Sequence, residues 1–244
     1  MFKPRFQPSL TGNHAISRRQ LLQWSSLSGL SLWLGGCSTS LLSESVGAAF
    51  EPLNQGLGAL LLNPNPVPEF PISAIEPTKL LINTFGETPQ IDPRQFRLTI
   101  NGEVDVPLQL SMAELQALPF TSMVIRHVCV EGWSAIVQWG GVRLSQLLAM
   151  ARPKAGARYV YFKSADGYYE SWDMASALHP QTLMAYRRNG EPLSIDNGAP
   201  LRLAAPIKLG YKQSKWVTHI TVTSKLAAQK GYWEDLGYEW FGGI

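Results

Sequence analysis

Short runs of β-branched and aromatic residues, each closed by Gly, Asp, Asn or Pro, set the strongest constraint on what this chain can fold into. Phe96-Arg97-Leu98-Thr99-Ile100 alternates apolar and polar side chains, Asn101-Gly102 is a type I′ turn signal, and Val104 to Leu110 continues the extended pattern, so a hairpin is predicted here. Further strands are predicted at Tyr159–Lys163, Tyr168–Trp172, Leu201–Ala204 and Val217–Thr223. Helical signals are few and short. Ser111-Met112-Ala113-Glu114 is a capping box, with Leu115 and Leu118 on one face before Pro119 ends the helix, and a second helix is predicted over Leu144–Ala151. Strands do not alternate with long helices, and neither a Gly-x-Gly-x-x-Gly nor a P-loop sequence occurs, so a dinucleotide-binding Rossmann unit is not supported. The pattern predicts a β-rich α+β domain. With 244 residues, 45% apolar and 16% charged, the chain has room for one main catalytic unit and a core that can enclose a cofactor.

The net charge of +3 suggests a basic surface until it is divided along the chain. Residues 1–36 carry Lys3, Arg5, Arg18 and Arg19 and no acids; removing them from the 21 Lys and Arg leaves 17 against 18 Asp and Glu. The remainder is close to neutral and lacks the footprint of a nucleic-acid binder. Ser17-Arg18-Arg19-Gln20-Leu21-Leu22 resembles a twin-arginine export signal, and the apolar run Leu27–Leu34 is too short to span a bilayer. Leu34-Gly35-Gly36-Cys37 resembles a lipobox, which would anchor the mature protein through Cys37; the competing reading is cleavage near Ala48-Ala49 with Cys37 discarded. These features predict a periplasmic or envelope location and passage through the twin-arginine export machinery. Three segments are expected: signal with lipobox at 1–36, a Ser/Gly/Leu/Pro-rich tether and arm at 37–75, and the catalytic domain at 76–244.

Cys37 and Cys129 are the two cysteines, so with Cys37 in the export segment Cys129 is a lone thiol. No Cys-x-x-Cys, Cys-x-x-Cys-His or His-Glu-x-x-His sequence is present, which leaves ordinary zinc and c-type haem sites unsupported. A lone buried cysteine is usually a small core hydrophobe. Its surroundings change that reading. Arg126-His127-Val128-Cys129-Val130-Glu131-Gly132-Trp133-Ser134 resembles the metal-ligand loop of the sulfite-oxidase superfamily, in which one cysteine precedes a Gly-Trp or Ala-Trp pair. Asp196-Asn197-Gly198-Ala199-Pro200-Leu201-Arg202 and Pro206 to Trp216, with Gln213-Ser214-Lys215, resemble the pterin and phosphate segments of the YedY-type reductases, and Asn83-Thr84-Phe85-Gly86-Glu87 resembles another.

The resemblance covers residues 78–240 and implies a sulfite-oxidase-type molybdopterin-binding domain. It implies Cys129 as the thiolate ligand to molybdenum, with Arg126 and His127 available to stabilise the deprotonated sulfur. Asn83, Gly86, Glu87, Ser164, Asn197, Arg202, Gln213, Ser214 and Lys215 are the implied cofactor contacts. Gly86 departs from an aromatic residue and Ser164 from a Thr. His179 matches a further family segment but more often such a residue braces a turn, and His14 and His219 carry no expected task. The implied function is reduction of S-oxides or N-oxides, methionine sulfoxide in exported proteins among them, with electrons from a membrane cytochrome. The alternatives are a sulfite dehydrogenase, for which Arg126, Arg187 and Arg188 are candidate oxyanion-binding cations, and an envelope binding module that has lost its metal.

Overall fold

The fold is described by a computed structural model covering residues 53, 56–58 and 60–244. The twin-arginine segment and Cys37 lie outside the described residues, among which no helix is long and apolar enough to cross a membrane. In chain order the elements are β1 (Arg97–Gly102), β2 (Leu108–Ser111), α1 (Met112–Ala117), β3 (Thr121–Val128), β4 (Ser134–Arg143), α2 (Leu144–Ala151), β5 (Tyr159–Ser164), β6 (Tyr169–Asp173), α3 (Met174–Leu178), β7 (Leu183–Arg188), β8 (Glu191–Pro192), β9 (Arg202–Ala204) and β10 (Val217–Thr223).

The strands form two sheets between which the chain passes repeatedly. One has the order β2-β1-β10-β5-β6; the other runs β3-β4-β7-β8, with β9 also paired to β7. Among the described residues only the β1/β10 pairing is parallel, and the long excursion through the second sheet supplies the crossover a parallel pair requires. The predicted hairpin is present: Arg97 pairs with Ser111 and Ile100 with Leu108. Its connection is longer than Asn101-Gly102 implied, because Gly102 (φ +90°) turns the chain under Val222 and Glu103 N–H donates to Val222 O. The capping box forms as predicted, Ser111 accepting from Glu114 N–H and Glu114 from Ser111 N–H. α2 spans its predicted residues.

Leu98, Ile100, Leu144, Leu148, Phe162, Trp172, Leu203, Ile220 and Val222 belong to the larger core, and Met123, Ile125, Val137, Trp139 and Leu183 to a second cluster in the β3/β4 sheet. Burial of each such side chain stabilises the fold by about 1.5–3 kcal/mol.

The arm before the domain covers exposed sheet edges. Phe70 N–H donates to Val124 O and Glu69 accepts from Val124 N–H, while Glu76 makes the same two bonds to Ile136. These carboxylates stand in for missing strand partners. His179 has a comparable bracing role: its Nδ1 accepts from Gln181 N–H, so Nε2 carries the proton donated to Asn65 O at 3.2 Å, and the Gln181 amide brackets Val67 N and O.

Candidate active site

The β3–β4 hairpin places Cys129. Val128↔Ser134 is its last pair, and residues 129–133 close it with Cys129 N–H donating to Trp133 O and Gly132 at φ +88°. Strand alternation decides what faces inward. His127 is buried and stacks on Trp133, whereas Arg126, one residue earlier, points the other way, its guanidinium 5.2 Å from the Phe70 ring and bonded to Ser134 Oγ. The expected guanidinium beside the thiol is therefore absent at Arg126. Nor does His127 offer positive charge, since burial and then Arg202 hold its imidazole down at about 3. Burial, reinforced by Glu131, pushes the Cys129 thiol above its ordinary value. A protein cation is not what makes this sulfur a thiolate; a bound metal would do so.

Cys129 lines a cavity with contributions from six parts of the chain: the arm at Leu80–Phe85, the hairpin turn, Asp166 and Tyr168 of the β5–β6 turn, Asp196 to Arg202, the β9–β10 connection, and Trp233 and Tyr238 near the C-terminus. Gly210 in the connection is small of necessity, because a Cβ there would stand 3.0 Å from His127 Nε2 and 3.3 Å from Val128 O. Asn83, Asn197, Arg202, Gln213, Ser214 and Lys215 all join Cys129 in the lining. Gly86 and Glu87 are solvent-exposed outside it, and their neighbour Phe85 enters instead, packed edge-on to Tyr168 and Tyr232. Ser164 is not in the lining, although its hydroxyl is buried without a partner.

The electrostatics of the cavity are unbalanced. Arg202 is buried, donates to the carbonyls of Leu203, Asn197 and Gln213, and lies 4.4 Å over the Trp139 ring. Lys215 likewise donates to carbonyls, those of Asn83 and Asp196. Among the described residues neither is ion-paired to a carboxylate. Burial followed by Arg188 lowers Arg202 to about 9, and burial followed by Arg202 lowers Lys215 to about 8. Buried cations in this state call for an anion. Two cavity residues also present buried polar atoms without partners, Ser214 Oγ and His127 Nδ1. Gln213 differs, because its amide is committed to Ala205 and Lys208 and braces the connection. Asn197 is similarly engaged by Ser194 and Arg188.

Glu131 is the functional candidate that the sequence did not reveal. Its Oε2 accepts from Asn83 Nδ2 at 2.8 Å and Trp133 Nε1 at 2.9 Å and lies 3.6 Å from Cys129 Sγ. The hairpin turn folds this carboxylate back over the sulfur, and those bonds hold it below the usual carboxylate range.

A soft sulfur ligand, uncompensated cations and orphaned donors in one cavity suit a sulfur-coordinated metal carried by a phosphate-bearing group. A family model described as the oxidoreductase molybdopterin binding domain matches residues 85–233. The chain belongs to this family. Molybdopterin carrying molybdenum is the cofactor, and the chain is a molybdenum-dependent oxidoreductase of YedY type with the α+β fold expected. It is 41% identical over 232 residues to an Azospira oryzae protein named as a candidate protein-methionine-sulfoxide reductase subunit YedZ1, covering 93% of this chain and 88% of the relative. The protein-methionine-sulfoxide reductase catalytic subunit MsrP of Campylobacter jejuni is 32% identical over 61% of this chain, and the chain spans 55% of that relative's length. Among solved structures, the sulfane dehydrogenase SoxCD of Paracoccus pantotrophus matches with a TM-score of 0.59 at 26% identity, over 66% of this chain and 48% of the other.

Proposed function

We propose that this molybdoenzyme reduces S-oxides or N-oxides, methionine sulfoxide in envelope proteins among them, in the cavity at Cys129. The observation that carries the reading is the combination inside that cavity: a single thiol, an anion-seeking base at Arg202 and Lys215, and an apolar mouth formed by Leu81, Ile82, Phe85, Val130, Trp233 and Tyr238. Arg202 and Lys215, with Ser214 Oγ, would hold the phosphate and pterin, and Cys129 Sγ would ligate the metal. When bound, the cofactor supplies a two-electron couple able to accept an oxygen atom. Asn83, Glu131 and Trp133 form a hydrogen-bonded rim beside the sulfur, and the apolar mouth suits the aliphatic part of a methionine sulfoxide side chain. In balance, the sulfoxide S=O bond breaks, two electrons arrive from a redox protein, two protons are taken up, and sulfide and water leave.

Names borne by the relatives support this direction, since MsrP proteins are called protein-methionine-sulfoxide reductases. The sulfane dehydrogenase neighbour favours a second reading, oxidation of an inorganic sulfur anion. Charge placement weighs against it. Arg126 and Arg187 are exposed and outside the lining, Arg188 bonds Asn197 without lining the cavity, and the Glu131 carboxylate at the sulfur would repel a dianion. Side-by-side turnover of methyl sulfoxides and sulfite by purified holoenzyme separates the two; turnover of sulfite alone would overturn our assignment.

We infer export by the twin-arginine route, which carries folded proteins and so suits a cofactor enclosed before crossing, with Cys37 as lipid anchor and a membrane cytochrome as electron donor. Mass spectrometry of the mature N-terminus tests this: a diacylglyceryl group on Cys37 is expected, and an unmodified N-terminus beyond it would contradict the anchor.

A further inference from the structure

Behind the aromatic side of the cavity lies a charged cluster that the proposed reaction does not use. Lys212 is completely buried, and its ammonium donates to Glu170 Oε1 at 2.5 Å, to Glu234 Oε1 and to Ser171 O at 3.1 Å. Glu170 is equally buried, on β6, and Glu234 nearly so. The second oxygen of each carboxyl has no partner. Two carboxyls thus share one ammonium in the interior, where an isolated charge is strongly disfavoured. Burial holds the Glu170 carboxyl well above the usual carboxylate range.

The location of this cluster is informative. Lys212 stands between Tyr211 and Gln213, both in the cavity wall, and Glu234 follows Trp233, which lines the cavity with Tyr238. Residues 231–244 form a strap over this end of the domain. Tyr232 N–H donates to Tyr169 O, Trp240 Nε1 to Ser171 Oγ, Leu209 N–H to Gly242 O and Tyr211 Oη to Glu239 O. Trp233 and Tyr238 themselves remain more than a third exposed, their rings 5.1 Å apart, and Tyr238 packs edge-on to Tyr211. Between Tyr232 and Glu239 the side chain that anchors the strap in the interior is Glu234. A Cβ at Gly231 would press to within 2.8 Å of Glu170 Oε1 and closer still on the Glu234 carboxyl, so the cluster is packed tightly under the strap.

We propose that Lys212, Glu170 and Glu234 form a positioning device that fixes the strap, and through it sets Trp233 and Tyr238 as a specificity wall for substrates large enough to reach beyond the sulfur ligand. The inference rests on the reductase reading for its substrate and on geometry alone for the positioning. Interactions with a distal wall act on ground state and transition state alike, so their loss raises KM and leaves kcat. Glu234→Ala and Glu234→Gln are therefore compared as molybdenum-loaded full-length enzyme, with an oxidised protein carrying methionine sulfoxide and with dimethyl sulfoxide, and amide hydrogen exchange is followed over residues 230–244.

For Glu234→Ala the proposal expects faster exchange in the strap and a KM for the oxidised protein raised by about tenfold, with kcat and dimethyl sulfoxide turnover held. Glu234→Gln should restore both, because the amide keeps the length of the side chain and its oxygen still accepts from the Lys212 ammonium. Unchanged exchange, exchange that rises without any change in KM, an equal fall of kcat on both substrates, or failure of Gln to rescue would each overturn it. Should Glu234→Ala not load, Gly231→Ala wedges the same cluster and Trp233→Ala removes the wall; a KM unchanged in both would be as decisive. If the unaltered enzyme turns over no sulfoxide, the function proposed above fails, and the exchange comparison still decides whether the cluster holds the strap.

Discussion

Arg202 is a buried guanidinium surrounded by carbonyl oxygens and an indole face, with no carboxylate to balance it among the described residues. An ammonium cannot reproduce its fork of donors, so Arg202→Lys should fold and yet retain pterin about 10- to 100-fold less tightly. Fluorescence of the released, oxidised pterin per mole of protein measures this, and loading equal to that of the unaltered enzyme would contradict it. Side-chain type and order in the sequence singled out Cys129, Asn197, Arg202 and Lys215, and all four line one cavity. Arg126 was misplaced because proximity in sequence was taken for proximity in space. The two-residue period of β3, which puts His127 inside and Arg126 outside, was the signal that could have corrected it. Glu131 acquires its position beside Cys129 Sγ only through the hairpin turn and the arm residue Asn83, a long-range meeting that no local pattern encodes.

At the level of elements, the site depends on how closely the β9–β10 connection approaches the β3–β4 turn. Gly210→Ala would push against His127 Nε2 and the Val128 carbonyl, with Cys129 Cα 3.7 Å away. The expected outcome is a fall in kcat of about tenfold or more, since small displacements of reacting groups are costly, with a Tm lowered by only a few degrees. Activity at the unaltered level would mean that the connection yields without moving the sulfur. β1, β2, α1, α2 and most of β5, β6 and β10 were readable because alternation, capping and β-branched residues agree there. β4 was not. Its glycines, Gly140 and Gly141, interrupt any β-branched run, yet they allow the strand to shift register against β7, where a Cβ at Gly141 would stand 2.7 Å from Ala185 Cα. The sheet partnership of β9 with β7 was equally hidden, because three residues carry too little periodicity to show it.

At the scale of the whole molecule, two sheets, an N-terminal arm and a C-terminal strap enclose the cavity at Cys129, and a buried carboxyl on β6 beneath the strap couples stability to pH. Glu170 has a folded pKa above its ordinary value of 4.5, so its contribution is fully present below that pH and is lost as pH rises through the folded value. Glu170→Gln cannot ionise and should escape that loss. In urea unfolding between about pH 5 and 8, the stability of the variant relative to the unaltered protein should rise steadily with pH; parallel curves would contradict it. Everything functional, however, depends on Cys129 as a metal ligand. Molybdenum K-edge absorption of the purified holoenzyme and of Cys129→Ser counts the sulfur atoms around the metal directly. The account predicts molybdenum in the unaltered protein with one more sulfur neighbour than in the variant; an absence of molybdenum, or an identical sulfur shell in both, would contradict it.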